Sequence, residues 1–327
     1  MTKDRHAISR RNLLGLAAAS AAGLAAPRAV AQSGPLRIIF PFSAGGSGDA
    51  LCRLMADAMG RALGDNIIVE SRTGAGGQIG VRAVAEGPAD GRQLLITPIA
   101  PISIHPIVFP NLPYDPFRDL APISQLTAFD FALAVHPNTP ARTVAEFVAW
   151  MKQDPRNATY ASPGAGTLPH FFGALLGQAV GVPMQHAAYR GSSSIVTDLV
   201  AGQLPSVITT TSDLVQVARA GSTRIIAVSG TTRSPFLPDV PTFRESGIEI
   251  EGAGWYGMYA RAGTPPALVA KYNEAAVAAL KQPALRERIE GLAMVPTGTS
   301  PDELATIQKR DNEAWAPAVK ASGFKPT

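Results

Sequence analysis

Short apolar runs that alternate with amphipathic helical stretches constrain this chain more than any other feature. LRIIF (36–40) leads into a helical pattern over 47–63, and NIIVE (66–70) into one over 78–86. ATYASPG (158–164) runs into a second glycine turn that opens another helix. MQHAAYRG (184–191), PSVITTT (205–211) and RIIAVSG (224–230) continue the alternation. This order predicts an α/β fold of parallel-rich sheets with helices on both faces.

The rest of the chain supplies further elements. QLLIT (93–97) follows the turn signal PADG and precedes a proline-rich connection over 98–120. Residues 121–137 read as extended. TVAEFVAWMKQDP (143–155) sets Val144, Phe147, Val148 and Met151 on one helical face. GWYGMYARAG (254–263) reads as a returning strand, and 264–292 as two helices broken at Pro283. A last helix over 300–323 starts with Ser300 as N-cap and Pro301 at its first position. The strand–glycine–helix units at 36–60 and 158–176 share a layout, which suggests one from each of two domains.

The N-terminus has the three-part layout of an export signal: a charged start, an apolar stretch from Leu13 to Ala26, and AVA at 29–31. Arg10-Arg11, before Asn12-Leu13-Leu14, gives it the twin-arginine arrangement. The apolar stretch is shorter than the ~20 residues a spanning helix needs. Cleavage after Ala31 is therefore expected, with an exported product. Residues 1–31 hold Lys3, Arg5, Arg10, Arg11 and Arg28 against Asp4, which equals the net +4 of the whole chain. The remainder is balanced, so its composition gives no basic footprint for nucleic acid. The 296 residues after the signal suit two domains of ~100–200 residues each. Cys52, the single cysteine, excludes an internal disulfide and a cysteine metal cluster, and reads as a small buried apolar residue.

PFSAGGSGD (41–49) follows the first strand. Its Gly45, Gly46 and Gly48 free the backbone at a helix start, where partial positive charge attracts anions. No G-x-x-x-x-G-K-[ST] accompanies it, so no lysine is supplied for a nucleoside triphosphate. Asp49 either caps the helix or meets a donor group on a ligand. SRTGAGGQIG (71–80) misses the dinucleotide pattern, because Ile79 stands where glycine is needed, and reads as a structural turn. In SPGAGTLPHFF (162–172), Gly164, Gly166 and Thr167 offer donors, and His170 stands near the helix start. The five histidines show no metal-ligand spacing, and G-x-S-x-G and H-E-x-x-H are absent. AAYRG (187–191) offers Tyr189 and Arg190, either of which could reach a carboxylate.

Several segments together resemble one family. PFSAGGSGDALCR, VESRTGAGGQIG, ADGRQLLIT, YDPFRDLAPIS, SPGAGTLPHF, AYRG, DLVAGQ and TTRSPFLPDVPTFRESG stand in the order found in the Bug-type substrate-binding proteins of tripartite tricarboxylate transporters. The resemblance covers essentially the whole chain after the signal. Ala188 stands where that family usually has proline, and Pro205, followed by the hydroxyl run Thr209–Thr211, where aspartate is common. Ser71 and Thr73 likewise replace its asparagine and proline.

The resemblance implies a non-catalytic, type II-like periplasmic clamshell with a mixed, mostly parallel sheet in each domain. Domain 1 is expected over 32–130 plus 252–327, domain 2 over 131–251, with the hinge near Asp130 and Gly252. The loops 41–49 and 162–167 would grip a ligand carboxylate through backbone groups, small hydroxyls and water. Expected ligand-binding residues are Phe42, Ser43, Ala44, Gly45, Gly46, Asp49, Thr97, Ser162, Gly164, Gly166, Thr167, His170, Tyr189, Arg190 and Thr209. No cofactor and no metal are expected. The expected partners are a di- or tricarboxylate, amino acid or aromatic acid and the membrane subunits of a transporter, with the protein itself a monomer. Two alternatives stand beside this reading. One is an exported hydrolase using His170 with Asp49 or Ser162; the other is a ligand-binding partner of a sensory receptor.

Overall fold

The computed structural model describes residues 34–324, so the expected export signal and its cleavage point lie outside the described residues. The chain begins β1 (Leu36–Phe40), α1 (Ser47–Leu63), β2 (Ile67–Ser71), α2 (Gln78–Ala85), β3 (Gln93–Pro98) and α3 (His105–Val108). It continues with the long β4 (Leu120–Val135), then α4 (Val144–Met151), β5 (Thr159–Ser162), α5 (Leu168–Val180), β6 (Gln185–Ala188) and α6 (Ser192–Val200). Next come β7 (Ser206–Thr210), α7 (Thr211–Arg219), β8 (Arg224–Val228) and β9 (Ala253–Arg261). It closes with α8 (Pro266–Leu280), α9 (Pro283–Gly291), β10 (Val295–Pro296) and α10 (Pro301–Ala321).

The strands order as β2-β1-β3-β9-β4-β7-β5-β6, with β8 and β10 also paired to β4. β1 runs parallel to β2 and β3, and β5 runs parallel to β6 and β7. Every ladder made by β4 or β9 is antiparallel. The sheets are therefore mixed: parallel where short strands alternate with helices, antiparallel where long strands return. β4 pairs with β9 from Leu120 to Asp130, then with β7 and β8 from Phe131 onward. Its change of partner falls between Asp130 and Phe131 and separates two halves of the strand order, β2-β1-β3-β9 and β7-β5-β6.

Local chemistry explains the elements. β1 is apolar almost throughout because helices cover both faces of the sheet, and Leu36, Ile38 and Ile39 are fully buried. α1 buries Leu51, Cys52, Met55 and Met59 at helical spacing, and Cys52 packs there as a small hydrophobe whose thiol pKa is pushed up by burial. Thr143 caps α4 by accepting the Glu146 N–H at 3.2 Å. Ser300 and Glu303 form a capping box at the start of α10. The proline-rich connection folds into a π-helical turn, Ala100–Ile104, that runs on into α3. α10 spans both halves: Asp311 accepts the Trp255 Nε1–H at 2.8 Å, and the Trp315 ring meets Phe172 of α5 edge-on at 5.6 Å. Among the described residues no helix is long and apolar enough to cross a membrane.

Candidate ligand-binding site

The glycine loop after β1 is shaped by one carboxylate. Gly45 has φ +89°, a conformation that side-chain-bearing residues avoid, and donates its N–H to Asp49 Oδ2 at 3.1 Å. Asp49 also accepts Arg53 Nε at 3.0 Å, is buried, and does not line the cavity described below. It folds the loop back onto the first turn of α1. Gly48 is required for a different reason: a Cβ there would stand 2.5 Å from the Phe40 ring and 2.6 Å from the Tyr256 hydroxyl.

The loop packs against the second half through direct hydrogen bonds. Ser47 N–H donates to Asp213 Oδ1 at 2.8 Å, and the Ser43 and Ser193 hydroxyls meet at 3.3 Å. Asp213 Oδ2 accepts the hydroxyls of Thr209 at 3.1 Å and Thr210 at 2.8 Å. Behind this seam lies a cavity of about 50 Å³. A water occupies ~30 Å³ of the liquid, so the space between the two sets of elements is narrow. The first turns of α1 and α5, one from each half, both reach the cavity, through Gly48 and Leu168. Helix first turns carry N–H groups without intrahelical acceptors. The lining is otherwise largely apolar and includes the rings of Phe40, Phe42, Phe129, Phe131 and Tyr256. Among the described residues it contains no Lys, Arg or His, and Asp213 is its one charged side chain.

Of the expected site residues, Phe42, Ser43, Gly46, Thr167 and Thr209 line this cavity. Gly45 lies on an outer groove of about 390 Å³, which shares Gly46, Ser192 and Asp213 with the inner cavity. Ala44 is exposed beside it. Thr97 is fully buried and donates to the Pro98 carbonyl at 3.2 Å.

Ser162, Gly164, Gly166 and His170 build the second turn from behind. Thr167 Oγ1 donates to the Gly164 carbonyl at 2.7 Å, and Gly166 N–H donates to His170 Nδ1 at 3.1 Å. Ser162 Oγ bonds His186 Nε2 at 2.7 Å. The His170 and His186 rings stack at 4.0 Å. Burial lowers the His170 pKa to about 4; burial, and then the charge of His170, lowers that of His186 to about 3. Tyr189 donates to Asp198 Oδ2 at 2.7 Å. The Arg190 side chain is exposed, and its carbonyl accepts the Ser43 N–H at 3.4 Å.

Sequence reading missed Ser192, Thr210 and Asp213, and the rings of Phe40, Phe129, Phe131 and Tyr256. The Thr210–Asp213 spacing was a legible helix-start signal, since Thr210 Oγ1 accepts the Asp213 N–H at 3.3 Å. The rings had no local signal, because they converge from strands far apart in sequence. The hydrolase alternative needs His170 with Asp49 or Ser162 at the site, and none of the three lines the cavity. Among the described residues no group of three His, Cys, Asp or Glu could hold a metal.

A family model described as "Tripartite tricarboxylate transporter family receptor" matches residues 51–324. A protein of Pseudomonas sp. (strain P51), from the tcbD-tcbE intergenic region, is 32% identical over 287 residues, covering 86% of this chain and 84% of that one. The structure of the periplasmic binding protein BugD superposes with a TM-score of 0.86 at 29% identity, covering 90% of this chain and 99% of that one. MatC from Rhodopseudomonas palustris, solved with bound malate, superposes with a TM-score of 0.83 at 28% identity, covering 87% of this chain and 98% of that one.

Proposed function

Since this chain belongs to the tripartite tricarboxylate transporter receptor family of periplasmic solute-binding proteins, we propose that it captures one small organic carboxylate in its central cavity and hands it to the membrane subunits of a transporter. The observation that carries this reading is the meeting of two helix first turns, from opposite halves, at one cavity without a cation. One such terminus suffices to hold a carboxylate through N–H groups and dipole alone. The malate held by MatC supports the ligand class.

The halves act as the two domains, 32–130 plus 252–327 and 131–251. They open by a hinge at Asp130–Phe131, where β4 changes partner, and near Gly252. Phe42, Ser43, Gly46, Thr167 and Thr209 contact the ligand; Asp49, Ser162, Gly164 and His170 hold the two turns in shape. The protein reaches the periplasm as a monomer by the twin-arginine route, with its signal cleaved after Ala31.

A thermal-shift screen of mono-, di- and tricarboxylates on ligand-stripped protein tests the reading. At least one acid should raise the melting temperature, because binding to the folded state alone stabilises it. Silence across the panel rejects it.

A further inference from the structure

Resting on the carboxylate reading above, the cavity also indicates which kind of carboxylate it takes. Asp213 brings the protein's own carboxylate to the N-terminus of α1, where Ser47, the first helical residue, donates to it at 2.8 Å. Its second oxygen is held by the Thr209 and Thr210 hydroxyls. The anion position at α1 is thus filled from within the chain. The first turn of α5 contains no acidic residue, so the anion position there is left for a ligand.

Much of the remaining wall is apolar, with Pro98, Ile99, Ala100 and Leu168 beside a run of rings. Phe42, Phe40, Tyr256, Phe129 and Phe131 follow one another with centroid separations of 6.0, 6.4, 4.9 and 5.5 Å. Burial and the Asp213 charge push the Tyr256 pKa up, so its phenol stays neutral. Ring faces are electron-rich and accept an apolar or aromatic body, not a second anion.

We infer that this cavity selects monocarboxylates with an apolar, preferably aromatic, body, and that Asp213 is the residue that rejects a second carboxylate. A ligand's single carboxylate sits at the α5 terminus and its body lies along the rings. A second carboxylate finds no Lys, Arg or His in the lining to meet it. At ~5 Å from Asp213, with an effective dielectric of ~20, repulsion alone weakens binding on the order of 100-fold.

Matched pairs that differ by one carboxylate test this: hexanoate against adipate, and benzoate against terephthalate. Each is titrated calorimetrically, beside malate, into full-length mature protein stripped of co-purified ligand, as wild type and as Asp213→Asn. The monocarboxylate of at least one pair should bind tenfold or more tightly than its partner, and Asp213→Asn should shrink that ratio at least tenfold. A dicarboxylate that binds wild type as tightly as its monocarboxylate overturns the inference and leaves the carboxylate reading standing. So does malate binding while both pairs are silent. An unchanged ratio in Asp213→Asn overturns the role given to Asp213; should that variant not fold, the wild-type ratios decide. Silence toward all five acids, extended to the broad panel, removes the carboxylate reading and this inference together.

Discussion

The backbone N–H of Ser47 donates to Oδ1 of Asp213 at 2.8 Å, which ties the first turn of α1 to the first turn of α7 across the seam between the halves. The same carboxylate gathers the hydroxyls of Thr209 and Thr210. One side chain therefore serves as helix cap, as strand-end anchor and as a contact across the seam.

Asp213→Ala should lower stability by about 1–3 kcal/mol, since three donors lose their acceptor in a part-buried seam. Urea denaturation gives the midpoint shift. A midpoint equal to wild type would show that the contact contributes nothing to stability.

Two glycines of the first loop should fail differently. Gly45→Val forces a β-branched residue to φ +89° at an exposed position, a strain of ~1–3 kcal/mol that the loop can relieve by moving. The fold should survive while the ligand-induced thermal shift is lost. Gly48→Ala drives a Cβ into the Phe40 ring and the Tyr256 hydroxyl inside the core, and should cost ~1–3 kcal/mol of stability directly. Denaturation curves read together with ligand shifts separate the two. Intact binding in Gly45→Val would detach the loop from the site.

The elements were legible because periodicity and turn chemistry are local. Residues 121–137 read as extended and form β4, Leu120–Val135; Pro283 breaks the helices where expected; Ser300 caps α10. The π-helical turn at Ala100–Ile104 was not legible, since prolines at 98 and 101 signal a loop and tertiary packing overrides them. Within the site, the glycine turns announced themselves through φ freedom and helix starts. Asp213 did not, because its importance comes from Ser47, 166 positions away. Tyr256 and Phe129 are ordinary strand aromatics in sequence; only the pairing of β4 with β9 brings their rings to 4.9 Å.

His105 should be replaceable by Leu without loss. Its ring is fully buried, with neither nitrogen hydrogen-bonded among the described residues, and burial lowers its pKa to about 3. An unpaired buried polar group costs ~1–3 kcal/mol that an apolar group of similar size avoids. His105→Leu should therefore match wild type or gain ~1–2 kcal/mol at pH 7, measured by urea denaturation. A large loss would reveal a polar partner for this ring.

Mild acid should destabilise the protein through its histidines before most carboxylates titrate. His105 and His186 have pKa values lowered to about 3 and His170 to about 4, against ~6.5 in an unfolded chain. Burial is the leading cause in each case. Between those values the unfolded chain takes up protons that the folded chain refuses, so stability rises with pH. It is held above pH ~6.5 and lost as pH falls toward 4 and 3. Each of these neutral histidines contributes ~2 kcal/mol of this loss by pH 5. The Asp130 carboxyl, whose pKa burial raises, acts in the opposite sense, but it is a single group. Urea denaturation at pH 7, 6 and 5 should show a progressive fall, and His105→Leu should lose about a third less than wild type. A wild-type profile flat from pH 7 to 5 would mean that the three rings are not held neutral, and the packing behind the second turn would need another account.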